Sequence, residues 1–111
     1  MKFKEIFEAN KYTIAHGDGE NIEVEFASTP KDAIKKWVKG EIKHPSDSNI
    51  SAENKEDAKA LYAWAHENKE EFIKIISKQK SMKTKYIYQE VQAINVDKMS
   101  DFDNLHPFTV G

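Results

Sequence analysis

The sequence predicts an α+β fold: a small antiparallel sheet, built from a hairpin and a C-terminal strand, packed by two or three helices in the order α-β-β-α-α-β. Three observations carry this. Ile22, Val24 and Phe26 alternate with Glu23 and Glu25, the period of a half-buried strand. Thr29-Pro30 opens a segment whose apolar residues recur at helical spacing. A third segment, 84–96, is rich in β-branched and aromatic residues.

Taken in order, residues 2–9 form a short helix candidate, because Phe3, Ile6 and Phe7 fall on one face and Lys4, Glu5 and Glu8 on the other. Asn10 is suited to ending it in a left-handed conformation. Residues 11–27 read as a hairpin, with Tyr12 and Ile14 supplying the partner strand. The turn falls in His16-Gly17-Asp18-Gly19-Glu20-Asn21, where glycine, Asp and Asn tolerate positive φ. On this reading Ile22, Val24 and Phe26 are buried, and Glu23 and Glu25 form a charged outer face.

Thr29 is an N-cap with Pro30 at N1 and Asp32 at N3. Ala33, Ile34, Trp37 and Val38 then make one apolar face, and Gly40 is placed to stop the helix, giving a helix over 30–39. Residues 43–51 read as a loop of Pro, Ser, Asp and Asn. From Ser51 a longer helix is expected over 52–78, with Ala58, Leu61, Ala65, Phe72, Ile75 and Ile76 in its stripe. Trp64 lies at one margin, Tyr62 and Ile73 at the other. Asn68 near the stripe's centre marks a bend, or caps a new helix with Glu71 as its partner. Residues 84–96 complete the sheet, with a bulge accounting for imperfect alternation. The expected division is one domain over 1–96 and a tail, 97–111, that packs or frays.

Composition limits the function. All 17 basic residues are lysine, so there is no arginine fork to clamp phosphate or read a guanine edge. A low-GC codon preference gives the same bias without any mechanism. The net charge of −2 provides no whole-molecule attraction to nucleic acid or an anionic membrane. Absence of cysteine excludes disulfides, thiol nucleophiles and thiolate metal sites. No run approaches the roughly 18 apolar residues of a membrane span, and the first eight residues lack the apolar core of a secretory signal. A cytoplasmic protein is expected.

No catalytic motif stands out, so no enzyme, cofactor or resident metal is expected. The turn offers His16, Asp18, Glu20 and Asn21, but it is too short for a calcium loop. His44, His66 and His106 are scattered without paired ligand spacing. His66 beside Glu67 reads as an exposed helical histidine. The four glycines match no phosphate-binding fingerprint.

Two surfaces suggest binding. Asp18, Glu20, Glu23 and Glu25 form an acidic hairpin, and Phe102, Leu105 and Phe108 are candidate anchors in the tail; together they suit docking on a protein with a basic patch. The alternative is single-stranded nucleic acid, held by Lys31, Lys35 and Lys39 in one helical row and by Lys78, Lys80, Lys83 and Lys85, with Tyr86 and Tyr88 stacking on bases from a strand. A small metal-dependent hydrolase is a second alternative. The expectation is a non-enzymatic protein-binding module. Its composition resembles that of small phage or mobile-element accessory proteins that inhibit or adapt a host enzyme.

Overall fold

The computed structural model describes residues 11–18, 20–43, 48–78, 84–102 and 108–110. The order of elements is β1 (Tyr12–Asp18), β2 (Asn21–Ala27), α1 (Pro30–Lys43), β3 (Ser48–Ala52), α2 (Lys55–Glu67), α3 (Lys69–Ile76), α4 (Thr84–Ala93), a 3-10 turn (Met99–Phe102) and β4 (Phe108–Val110). The fold is mixed α+β, as expected. Its antiparallel sheet runs β2-β1-β3-β4, so β2 is an edge strand among the described residues.

The hairpin is present, with Tyr12 opposite Ala27 and Asp18 opposite Asn21. Its turn is shorter than the sequence suggested. His16, Gly17 and Asp18 belong to β1, leaving two residues between the strands. Gly17 has φ of +128°, and a Cβ there would collide with the backbone carbonyl of Asn21.

The start of α1 is as predicted: Thr29 Oγ1 accepts from the Asp32 amide at 3.2 Å. Its end is not. The helix continues through Gly40 to Lys43, because Gly40 serves a packing contact and not a C-terminal cap.

The third strand is also corrected. Segment 84–96 does not pair in the sheet; Thr84–Ala93 is a helix. Its buried residues Ile87 and Val91 lie four apart, with the partly buried Tyr88 and Ile94 beside them, which is helical spacing in a stretch of strand-favouring residue types. The central partner of β1 is instead Ser48–Ala52, in the segment read as loop. There Ile50 is fully buried opposite Ile14, and long-range pairing outweighs weak local propensity.

The long helix is two helices. Asn54, not Ser51, caps α2 through Oδ1 to the Asp57 amide at 2.9 Å. The break is at Asn68, where φ is −118° and ψ 48°. Asn68 Nδ2 donates back to the Trp64 carbonyl at 3.0 Å and makes no side-chain cap for α3. Glu71, expected as its capping partner, pairs with Lys31 at 3.1 Å and ties α3 to α1.

Trp37, Leu61, Phe72 and Ile76 provide the helical side of the core, against Tyr12, Ile14 and Ile50 from the sheet. Trp64 is partly buried and packs on that core. In the 97–111 segment, Phe102 is buried with its ring 5.6 Å from that of Tyr62, and β4 pairs with β3. The helix candidate at 2–9 lies outside the described residues.

Tyr12 links the layers, its hydroxyl donating to the Asp57 carbonyl at 2.9 Å. Burial, with the Asp57 carboxylate nearby, pushes its pKa from 10.0 to about 12. Burial likewise pushes Tyr62 up, assisted by Glu90. Since the folded values lie above the unfolded one, this contribution to stability is complete below pH 10.0 and disappears as pH climbs through about 12. A spectrophotometric titration of the phenolates should show Tyr12 ionising near pH 12, together with loss of far-ultraviolet dichroism. A Tyr12→Phe variant should lose one phenolate from the late absorbance rise while that of Tyr62 remains; an unchanged amplitude would refute the assignment.

Candidate functional site

Strand parity decides what the hairpin presents. Tyr12, Ile14 and His16 are buried on the helix-facing side of β1. Their opposite numbers on β2 are Ala27, Glu25 and Glu23. Both glutamates therefore lie on the helix-facing side, and the expected charged outer face is corrected. Ile22, Val24 and Phe26 occupy the other side, 59%, 50% and 50% exposed. No helix covers them among the described residues.

The exchange is explained by His16, which is 3% exposed. Its Nε2 lies 3.0 Å from Glu25 Oε2, and Nδ1 lies 3.7 Å from Glu23 Oε2. A carboxylate accepts only, so Nε2 donates to Glu25. The ring also packs on the backbone of Gly40 in α1: an added Cβ would come within 2.6 Å of His16 Cγ and 2.8 Å of Nε2. Glycine is required here for close approach.

His16, Glu23, Val24, Glu25, Lys39 and Gly40 line a cavity of about 230 Å³. That is smaller than the roughly 300–1,000 Å³ of ordinary small-molecule sites. The two carboxylates stand at different ring nitrogens and do not converge on one point with an imidazole nitrogen. Among the described residues, no group of three or more His, Asp or Glu is arranged to hold a metal ion. His66, expected on an exposed helix face, is half-buried; its Nε2 donates to the Val91 carbonyl at 2.8 Å, joining α2 to the end of α4.

Of the expected protein-binding residues, the structure gathers Glu23 and Glu25 around His16, while Glu20 is exposed at the turn. Asp18 ends β1 opposite Asn21, and Phe108 begins β4. Phe102 is 3% exposed and belongs to the core, so it is not a surface anchor. Leu105 lies outside the described residues, as do His44 and His106.

The lysine surface is also redistributed. Lys31 pairs with Glu71, while Lys35 and Lys39 are exposed along α1. Lys78 is exposed just after α3, and Lys80 and Lys83 lie outside the described residues. Lys85, Tyr86 and Tyr88 are on α4, so the expected sheet-borne stacking platform is corrected. Tyr86 is 58% exposed, with Glu90 as a side-chain hydrogen-bond partner that raises its pKa. Lys69 Nζ covers the Tyr88 ring at 5.6 Å from its centroid.

Sequence reasoning missed the apolar face of β2. The signal was present in His16: its spacing from Tyr12 and Ile14 puts it on their side of the strand, where burial calls for polar partners. Among the described residues, no helix is long and apolar enough to cross a membrane. No known protein family, curated protein or solved structure matches the chain.

The His16–Gly40 contact gives a direct test. In a free helix interior, Gly→Ala stabilises by about 1 kcal/mol. Here Gly40→Ala should instead destabilise by about 1–3 kcal/mol in urea unfolding, because the buried ring has little room to withdraw. In a His16→Ala background the same change should turn neutral or stabilising. Equal destabilisation in both backgrounds would remove His16 as the reason for glycine.

Proposed function

We propose that the chain is a non-enzymatic protein-binding module with β2 as its contact strand. One observation carries this reading: Ile22, Val24 and Phe26 form an apolar row, each at least half exposed, on the strand that edges the sheet among the described residues. Fully burying an aliphatic or aromatic side chain contributes about 1.5–3 kcal/mol, so an exposed row of three has several kcal/mol to gain from a cover. Exposed, regular apolar edges otherwise promote aggregation, and their presence on a native strand suits a binding surface. A partner protein is therefore favoured over nucleic acid, whose expected tyrosines stand on a helix with Lys69 over one ring. In this reading the chain acts by covering part of a cytoplasmic partner and so inhibits or adapts it. The cysteine-free composition suits that compartment.

The experiment is site-specific photocrosslinking in the cells of origin, with benzoylphenylalanine at position 24 or, as a control on α1, at position 35. We expect a discrete crosslinked protein from position 24 and none from position 35. Equal crosslinking from both positions, or none from 24, would refute β2 as the contact strand.

A further inference from the structure

Strand β2 carries two different rows. Ile22, Val24 and Phe26 lie on the open face of the sheet, whereas Glu23 and Glu25 lie on the helix-facing side with side chains 51% and 36% exposed. Beyond β2, no further strand pairs with the sheet among the described residues. An extended segment added at this edge would continue the same pleat, whichever direction it ran. Its alternate residues would fall beside the apolar row, and the intervening ones beside the glutamates.

We propose that β2 recruits its partner by strand addition, and that the segment it accepts alternates apolar and basic residues. This rests on the reading of β2 as the contact strand and specifies its occupant. Lys36 and Lys39 are set against three carboxylates, Glu20, Glu23 and Glu25. Lys36 is engaged with Asp32 at 3.3 Å and with the Phe26 carbonyl at 2.7 Å. Lys39 lines the cavity beside Glu23 and Glu25, and Glu20 adds a further exposed carboxylate at the turn. A second copy of the chain fits less well, because antiparallel β2 strands would set Glu23 and Glu25 against the same residues of the copy, and like charges directly opposite are destabilising. Main-chain hydrogen bonds along Ile22 and Val24 would supply affinity, since Lys36 already takes the Phe26 carbonyl, and the two rows would supply selectivity.

Four synthetic heptapeptides test this against the isotope-labelled whole chain by NMR titration. One alternates valine and lysine, one alternates valine and glutamate, and two are the lysine peptide N-methylated at alternate amides, one in each register. The lysine peptide is expected to shift the amides of Asn21–Ala27 and to bind at least about tenfold more tightly than the glutamate peptide, with added salt reducing the difference. N-methylation in the register that faces β2 should abolish binding, so both methylation registers are used. Equal affinity for the lysine and glutamate peptides would overturn the charge assignment. Undiminished binding of both methylated forms would overturn strand addition, leaving an apolar face that docks without a ladder. No binding of the lysine peptide, or sedimentation of the free protein as a dimer with β2 amides protected, would overturn the proposed occupant. The crosslinking result at position 24 stands apart from these outcomes, so failure of the occupant is distinguishable from failure of the surface.

Discussion

The His16 ring lies on the backbone of Gly40 with a carboxylate at each of its nitrogens, and the hairpin cannot change parity without breaking that arrangement. A buried polar ring requires hydrogen-bonding partners, and losing them costs about 1–3 kcal/mol. Glu25 accepts from Nε2, and Glu23 brings a carboxylate within 3.7 Å of Nδ1, only if their side of β2 faces α1. A one-residue slip would point both glutamates away and bring Ile22, Val24 and Phe26 inward. Gly40 sets the depth of the same contact, since a side chain there would meet the ring before the sheet and α1 could close.

The arrangement determines the surface as well as the interior. Placing two carboxylates on the helix-facing side leaves β2 with its apolar residues on the open side, an inversion of the usual division for a two-layer domain. The apolar core is then drawn from β1 and β3, through Tyr12, Ile14 and Ile50, and β2 contributes Ala27 to the buried cluster. Thus β2 is held by its pairing with β1 and by the imidazole, and among the described residues no helix covers its apolar side. Stability and candidate function are connected through one histidine.

Elsewhere the helices are held by local signals that tertiary packing completes. The Thr29 and Asn54 caps satisfy early helix amides, and Lys31 and Glu71 join α1 to α3 at the surface, where an ion pair adds little to stability, about 0–1 kcal/mol. His66 reaches the Val91 carbonyl near the end of α4, a polar link between α2 and α4. Asn68 donates its side-chain amide back into the preceding turn at the point where the helix is interrupted.

By itself the sequence determined the α+β class, the hairpin, the start of α1 and the apolar stripes of α2 and α3, because caps and periodicity act over a few neighbouring residues. It did not determine β3 or α4. Ser48–Ala52 has one strongly apolar residue and becomes a strand through pairing with β1, while Thr84–Ala93 has strand-favouring residue types but buries them at helical spacing. Nor did it determine which side of β2 is covered. Alternation shows that a strand has two faces; the core lies beneath one of them only after distant residues have met. Here the meeting of His16 with Gly40 put the glutamates inward and left Ile22, Val24 and Phe26 outside.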